Sequence, residues 1–263
     1  MEGAWPFMCV LEGLGISYSP GIPHPNTYNW GWREYGNRIG VWRLIELFDR
    51  LNLPISLLLN SEVYEHRSEV VAAFRARGDE VVGHGRTNSE HQNDFDEAGE
   101  AKLIRDVTEA IARHEGKPPL GWLSHGVNPS AQTPDLLQEA GYKYILDWPM
   151  DDQPVWIRTR HGRLLALPYP HEINDVPMIA LHHGRAAAFA DAIIDNFEEM
   201  LRQCEAQPLV YAISQHAFIV GQPFRLRHLR RALELVARHN DKVWLATVGA
   251  IAAHYASLAL PEE

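Results

Sequence analysis

The sequence has little cysteine and no long apolar run. Its two cysteines, Cys9 and Cys204, lie far apart and lack the close spacing of zinc-binding pairs, so we interpret them as small buried apolar side chains. No apolar stretch approaches the roughly 18 residues that a membrane-spanning helix needs. The first residues also lack a positive segment followed by an apolar one. These absences predict a cytoplasmic protein without a membrane partner or a secretion signal.

Positive charge is also in deficit. The 263 residues include 24 lysines and arginines against 34 aspartates and glutamates, which gives a formal net charge of −10. A nucleic-acid partner would need a basic stripe, so we expect none. Because 46% of the residues are hydrophobic, the chain can bury one substantial core. We therefore expect a single domain over residues 1–263.

Short apolar runs alternate with segments of helical periodicity along most of the chain. Apolar residues recur at helical spacing through residues 38–51, and residues 97–114 form an amphipathic pattern. The expected strands are residues 7–11, 55–59, 80–82, 120–123, 144–148, 164–167, 178–181, 209–214 and 243–246. Strands that are apolar throughout indicate a parallel sheet covered on both faces. The pattern predicts an α/β fold, and about seven repeats of it favour a barrel of parallel strands.

A long irregular segment interrupts this alternation near the start. Residues 15–36 are rich in proline, glycine, asparagine and aromatic residues, among them Tyr28, Trp30 and Trp32. A loop of that length usually covers a site or makes an interface. We expect contact with the cleft or with another subunit to order it, because its aromatic side chains would otherwise lie in water.

A histidine between two glycines follows the strand predicted at residues 80–82. In Gly83-His84-Gly85 the backbone can turn sharply while the imidazole faces a cleft. Parallel barrels present catalytic side chains in this way, at the carboxyl ends of their strands. The alternative is a turn histidine that bonds only to the backbone.

Polar side chains follow several predicted strands and would share one face of the barrel. They are Glu34, His84, His125, Asn128, Asp147, Asp151, Asp152, Glu172, Asn174, Asp175 and His216. Each alone could be a surface or capping residue, but together they are an unusual concentration of candidates for acid and base catalysis. Arg225 is the expected cationic partner of one acid, with a solvated arginine at a helix start as the alternative. We expect His84 and His216 to lie in one cleft.

The order of these segments resembles the polysaccharide deacetylase family from about Asn29 to Tyr255. Gly78–Gly85 is similar to the histidine motif of that family, and Pro118–Trp122 to its third motif. Asp151–Pro154 and the segment His216–Arg225 are most similar to the branch that holds metal-independent allantoinase and peptidoglycan-deacetylase-like proteins.

This resemblance implies a distorted (β/α) barrel of about seven parallel strands. It also implies hydrolysis of a carbon–nitrogen bond that is not a peptide bond, in a small molecule such as a ureide or an N-acetylated sugar. A further implication is a homo-oligomer, commonly a tetramer.

The sequence departs from the metal-binding pattern of the family. Members that use a metal have an Asp-Asp pair after the first strand and two histidines four residues apart. Here the first predicted strand leads into Glu12–Gly15, the position four after His84 is Asn88, and Leu123–Gly126 replaces the arginine-proline of the third motif. His91 would substitute only if its loop folded back. Since a hydrolytic zinc generally needs three protein ligands, we predict no catalytic metal and no other cofactor.

Amide hydrolysis needs a base to activate water, a group that stabilises the tetrahedral oxyanion, and an acid for the leaving nitrogen. We assign the base to Glu34 or to one of Asp151 and Asp152. His216 is the expected acid, and His84 the expected oxyanion donor or residual metal ligand. The residues expected to bind substrate are Trp30, His125, Asn128, Trp148, Glu172, Asp175 and Arg225.

A second hypothesis is a catalytically degenerate barrel that binds a sugar or ureide without turnover. Its pocket would be lined by Trp30, Trp32, Trp148 and Trp156. These tryptophans could equally be core or interface residues. Turnover that disappears on mutation of His216 would favour the enzyme, whereas binding without turnover would favour the second hypothesis.

Overall fold

The computed structural model describes residues 27–258, and the chain divides into two compact units. Among the described residues, the helical unit comprises 27–53 and Tyr169–Leu245, and the sheet unit comprises Pro54–Pro168 and 246–258. The first predicted strand, with Cys9, and the segment that contains Glu12 lie outside the described residues. A single domain over residues 1–263 stays a prediction.

Helices and short strands follow one another through the described chain. The α-helices are α1 (Thr27–Tyr35), α2 (Val41–Leu51), α3 (Val63–His66), α4 (Ser68–Arg77), α5 (Glu97–Glu115), α6 (Thr133–Glu139), α7 (Ala186–Gln203), α8 (Ala217–Val220), α9 (Pro223–Ala237) and α10 (Val248–Ser257). The strands are β1 (Ser56–Leu59), β2 (Glu80–Gly83), β3 (Gly121–Trp122), β4 (Tyr144–Ile145), β5 (Val155–Thr159) and β6 (Gly162–Ala166). All six strands belong to the sheet unit.

The sheet has the order β1-β2-β3-β4-β6-β5. Every neighbouring pair runs parallel except β5 and β6, which form an antiparallel hairpin at one edge. The carboxyl ends of β2, β3 and β4 therefore lie side by side, and a residue that follows one of them is close to residues that follow the others. The predicted α/β class with a parallel sheet is confirmed.

Helix α5 supplies much of the core of the sheet unit. Leu103, Ile104, Val107 and Ile111 recur at helical spacing and are all buried. They pack in one cluster with Trp122 and with residues of the neighbouring strands. Each such side chain contributes roughly 1.5–3 kcal/mol when it is fully buried, so the amphipathic pattern of this helix is sufficient to hold it on the sheet.

The close approach of strands β3 and β4 requires a glycine. A Cβ atom at Gly121 would lie 1.9 Å from the ring of Tyr144. Tyr144 is fully buried, and its hydroxyl donates to Glu80 Oε1 at 2.7 Å. The ring therefore has no alternative position, and only glycine fits opposite it.

In the helical unit, two helical segments approach each other so closely that their backbones are in contact. The segment Gly36–Gly40 is π-helical and leads directly into α2. A Cβ atom at Gly40 would lie 2.1 Å from the carbonyl oxygen of Ala217, and one at Gly221 would lie 2.5 Å from Cα of Gly40. The two glycines thus allow the π-helical segment to lie against α8.

The prediction of an irregular loop over residues 15–36 is wrong for the part of this segment that the structure describes. Residues from Thr27 onward form α1, which continues into the π-helical segment. Tyr28, Trp32 and Tyr35 lie at helical spacing within the aromatic-rich stretch. Their composition suggested a loop, whereas their periodicity indicates one face of a helix.

Several strand predictions in the second half of the chain are also wrong. Residues 178–181 belong to a π-helix, Val176–Leu181, which has Pro177 in its first turn. Residues 209–214 contribute one isolated parallel bridge, between Ser214 and Asn174, and residues 243–246 form no strand. Strand β5 was not predicted. In contrast, the strands expected at residues 55–59, 80–82, 120–123, 144–148 and 164–167 correspond to β1, β2, β3, β4 and β6.

Candidate functional site

His84 lies directly after β2, at the carboxyl end of the sheet. Its backbone N–H donates to the carbonyl of Leu59 at 3.1 Å, and Gly85 then turns the chain with a φ of 72°. The ring nitrogen Nδ1 lies 2.8 Å from the carbonyl oxygen of Leu123, which follows β3. The imidazole is thus fixed between two neighbouring strands.

The partner of Nδ1 determines the tautomer of His84. A carbonyl oxygen can only accept, so Nδ1 carries the proton and Nε2 has the lone pair while the ring is neutral. A neutral ring in this state can act as a base or a metal ligand. Donation to an oxyanion, the other role expected for His84, would require the protonated ring.

His125 is buried beside His84. Its Nδ1 lies 3.0 Å from the carbonyl oxygen of Glu90, and its ring centroid is 5.6 Å from that of His84 and 5.8 Å from that of His91. Burial, together with a smaller contribution from charge on His84, lowers the pKa of His125 to about 3. His125 is therefore neutral at physiological pH.

The turn after His125 contains backbone strain. Gly126 and Val127 have φ values of 64° and 54°. A β-branched residue in the left-handed region is unfavourable, and strain of this kind costs about 1–3 kcal/mol and tends to occur at functional sites. The strained turn therefore supports a functional role for this histidine cluster, which comprises His84, His91 and His125.

The other sequence candidates of the sheet unit lie near its strand ends. Asn128 follows the strained turn and is partly buried. Trp148 is partly exposed after β4, and Asp151 and Asp152 are exposed in the same loop. The carboxylate of Asp151 accepts from the backbone N–H of Gln153 at 2.9 Å, which is a local capping contact.

The helical unit contains a second histidine held by a carboxylate. Nδ1 of His216 lies 2.7 Å from Oδ1 of Asp175, and the backbone N–H of His216 donates to Oδ2 at 2.8 Å. Asp175 is completely buried, whereas the side chain of His216 is 33% exposed. Both oxygens of this aspartate are thus occupied by one histidine, so its described contacts are those of an orienting group.

An aromatic ring contacts His216, and a cation lies over that ring. The ring of Phe218 lies 5.8 Å from it, edge to face. The guanidinium carbon of Arg33 lies 4.5 Å from the Phe218 ring and 4.6 Å from the Trp32 ring. Trp32 in turn donates its indole N–H to the carbonyl of Phe218 at 3.0 Å. These contacts fix the segment that carries His216.

Two π-helical segments flank this histidine. Gly36–Gly40 lies against α8, which begins at the residue after His216. Val176–Leu181 begins at the residue after Asp175. π-Helical turns are rare and frequently mark functional sites, so both members of the pair are associated with unusual backbone.

The remaining candidates in the helical unit have diverse surroundings. Glu34 is buried, and its carboxylate accepts from Nδ2 of Asn37 at 3.3 Å. Trp30 is partly buried in α1, and Glu172 is exposed. Arg225 lies over the ring of Phe224 at 5.0 Å. A surface pocket of about 390 Å³ is lined by Tyr28, Trp32, Tyr35, Gln222, Phe224 and Arg225.

Within residues 27–258, no three histidine, cysteine, aspartate or glutamate side chains converge on a common point where they could hold a metal ion. Asn88 stands four residues after His84, and its buried Oδ1 atom has no hydrogen-bond partner. A neutral amide oxygen is a weak ligand for zinc, so these donors do not fit a site with three strong ligands. The absence of a metal stays a prediction.

Two groups were not assigned roles from the sequence. Ser124 joins the histidine cluster to a buried aspartate, and Arg33 supports the segment of His216. Ser124 and Asp147 both follow strands that prove to be neighbours, which is the signal that could have paired them. Arg33 is the one cationic residue within an aromatic stretch, Trp30–Tyr35, and this position was the available signal.

The sheet unit thus holds hydrogen-bonded histidines near the ends of parallel strands, and the helical unit holds a histidine oriented by a buried carboxylate. Histidine is the side chain most often used for acid and base catalysis, so each arrangement is typical of an enzyme site. No family model matches the chain. It is 26% identical over 233 residues to the "Putative polysaccharide deacetylase" of Schizosaccharomyces pombe (strain 972 / ATCC 24843), a match that covers 81% of this chain and 72% of that protein.

Two solved structures extend the likeness. The crystal structure of Puue allantoinase has a TM-score of 0.85 at 26% identity and covers 93% of this chain and 81% of its own. That of a "probable Polysaccharide deacetylase" from Pseudomonas aeruginosa PAO1 has a TM-score of 0.83 at 28% identity, with coverage of 96% and 87%. The predicted resemblance, the α/β fold class and the class of enzyme are confirmed. The six described strands form an open sheet in which β1 and β5 are the edges, not a closed barrel of about seven parallel strands.

Proposed function

We propose that the protein hydrolyses a carbon–nitrogen bond other than a peptide bond, in a small molecule such as a ureide or an N-acetylated sugar. The observation that carries this proposal is the pair of Asp175 and His216. A buried carboxylate that accepts from Nδ1 orients the ring and stabilises its protonated form. The likeness to a polysaccharide deacetylase and to an allantoinase supports the type of bond.

In the reaction, water adds to the carbonyl carbon and the carbon–nitrogen bond then breaks. Nε2 of protonated His216 gives its proton to the leaving nitrogen, while the proton of the attacking water passes to a base. Proton transfer from a positioned side chain contributes typically about 10²–10⁴-fold in rate. Glu34, Asp151 and Asp152 stay the candidates for the base.

Ligand binding without turnover is a second candidate function. It is favoured by the aromatic pocket of about 390 Å³ in the helical unit, whose lining includes Trp32 and Arg225. Aromatic faces with a few polar groups are typical of small-molecule sites. This candidate predicts binding of the same ligands with no product.

A single set of assays separates the two functions. Allantoin, other ureides and N-acetylated sugars are screened by thermal shift, and each ligand that binds is tested for released product. We expect turnover in the wild type and its loss in His216→Ala. His254→Ala is the matched control, because this exposed histidine of α10 is not among the candidate site residues. Binding with no product from any ligand in the wild type would refute the hydrolase.

We also propose, from the sequence and the family resemblance, a cytoplasmic homo-oligomer such as a tetramer. Within residues 27–258, no helix is both long enough and apolar enough to cross a membrane. Light scattering on the purified protein tests the assembly, and a monomer at micromolar concentration would contradict it.

A further inference from the structure

A buried carboxylate adjoins the histidine cluster of the sheet unit. Asp147 follows β4 and is nearly inaccessible to solvent. Its Oδ1 accepts the backbone N–H of Ser124 at 2.7 Å, and its Oδ2 accepts the hydroxyl of Ser124 at 2.7 Å. Both hydrogen bonds described for this carboxylate therefore come from one serine.

Ser124 stands between Leu123, whose carbonyl binds a histidine of the cluster, and His125, which is itself a member of the cluster. The carbonyl of Leu123, which precedes it, accepts Nδ1–H of His84 at 2.8 Å. The next residue is His125, whose ring meets that of His84 edge to face. Because consecutive residues share rigid peptide planes, a fixed Ser124 backbone fixes both the acceptor of His84 and the position of His125.

The hydroxyl of Ser124 is itself oriented from the opposite side. The indole N–H of Trp122 is shared between Oε1 of Gln92 at 3.1 Å and Oγ of Ser124 at 3.3 Å. Gln92 then donates to Glu100, a fully buried carboxylate, at 2.6 Å. Since Oγ accepts from Trp122, its own proton is directed to Asp147.

A stabilising role alone does not account for an aspartate at this position. Removing a carboxylate from water is costly, and burial raises the pKa of Asp147 to about 7 although both bonds from Ser124 oppose the shift. An uncharged side chain would avoid that cost. In its ionised form, this side chain provides two acceptors, matched to the two donors of Ser124.

We propose that Asp147 is a positioning residue, which through Ser124 holds the turn of residues 123–125 so that His84 keeps its proton on Nδ1 and His125 stays beside it. The proposal rests on the proposed function only in giving these two histidines a part in the reaction. The hydrogen-bond arrangement itself can be tested without turnover.

The test compares two variants with a matched control. Asp147→Asn keeps the shape but has only one acceptor, and Ser124→Ala removes only the hydroxyl. Glu80→Gln is the control, because Glu80 also accepts from three donors in the same unit, Ser56, Tyr144 and Gly249. Proton–nitrogen NMR of the imidazoles reports the tautomer of each histidine and the exchange rate of its N–H.

We expect Asp147→Asn to shift the Nδ1 resonance of His84 and to speed exchange of its proton at least tenfold. Ser124→Ala should do the same to a smaller extent, and Glu80→Gln should leave both histidines unchanged. With an active substrate, Asp147→Asn should lower kcat about 100-fold with little change in KM, since small misplacements have effects of that size.

Unchanged His84 and His125 signals in Asp147→Asn, or equal changes in Glu80→Gln, would overturn the proposal. If Asp147→Asn does not fold, Ser124→Ala decides by the same signals. If no substrate turns over, the proposed function fails while the NMR result still stands, so the two failures are distinguishable.

Discussion

His84 and His216 both engage Nδ1 in a hydrogen bond, but with different acceptors. His84 faces a neutral backbone carbonyl, whereas His216 faces the buried carboxylate of Asp175. A carbonyl fixes the tautomer only. A carboxylate also stabilises the imidazolium, because its negative charge lies against the ring. The comparison teaches that His216 is oriented by a charged side chain, whereas His84 is oriented by the backbone and lies beside His125, whose pKa burial lowers.

Removing the charge opposite His216 abolishes the difference between the two histidines most directly. Asp175→Asn keeps the shape, but its amide can donate as well as accept, so it permits the wrong tautomer and no longer stabilises the imidazolium. We expect kcat to fall by about 10³–10⁴-fold, measured on a substrate identified in the screen. Circular dichroism provides the check that the variant is folded. A kcat within tenfold of the wild type would show that this carboxylate is not needed.

The pH dependence of stability tests whether Asp147 keeps its proton in the folded protein. Its pKa is raised from 3.8 to about 7, first by burial and further by Glu100. Below about pH 4 both the folded and the unfolded chain hold this proton. Between about pH 4 and 7 only the folded chain holds it, so wild-type stability falls as the pH rises and then levels off.

The expected result is therefore a pH-dependent difference between two proteins. Relative to Asp147→Asn, the wild type should lose up to about 4 kcal/mol of unfolding free energy from pH 4 to pH 7, at about 1.4 kcal/mol per pKa unit. Urea unfolding at several pH values measures it. The lowered pKa of His125 changes the stability in the opposite direction, because the stability that its neutral form provides is lost as the pH falls from about 6.5 toward 3. A flat difference would contradict the prediction.

A glycine substitution sharpens the contrast in how the two histidines are positioned. Gly40→Ala would place a Cβ atom 2.1 Å from the carbonyl oxygen of Ala217, next to His216. Because that atom belongs to the backbone, we expect a loss of about 1–3 kcal/mol of stability and a disturbed His216 signal. Gly31→Ala, where no atom lies within 4 Å of the new Cβ, should instead gain about 0.5–1 kcal/mol. Equal melting temperatures for the two variants would refute this.

The smallest expected effect is at Val127, beside His125. Val127→Gly removes the strain of a β-branched residue at a φ of 54°, worth about 1–2 kcal/mol, but adds backbone entropy worth about 0.5–1 kcal/mol. The net result should be a gain of up to about 1.5 kcal/mol in unfolding free energy, with faster amide exchange in the turn. A loss of stability would mean that packing of the valine outweighs the strain.

Sequence patterns predicted the sheet unit better than the helical unit for a physical reason. Strands β1 and β2 and helix α5 bury continuous or periodic apolar residues, so local composition reflects their environment. In the helical unit, residues 178–181 are equally apolar but follow Pro177 and form a π-helix. Their structure depends on contacts with distant segments that composition does not record.

The same limit applies to the candidate site. His84, Asp175 and His216 were identified as polar residues in segments between predicted elements, and all three prove to have specific partners. The role of Asp175 was not foreseen, because it depends on a hydrogen bond to a residue 41 positions away. Likewise Ser124 and Asp147 are 23 positions apart, and only the pairing of β3 with β4 brings them together.

The interleaving of the two units has a consequence for synthesis on the ribosome. The helical unit uses chain from both before and after Pro54–Pro168, so its second part is made only after most of the sheet unit. The sheet unit is completed later still, because two of its hydrogen bonds come from α10. Glu80 accepts the N–H of Gly249, and the hydroxyl of Ser56 accepts the N–H of Val248. Until that last helix emerges, the carboxylate of Glu80, at the amino end of β2, lacks the N–H of Gly249 as a donor.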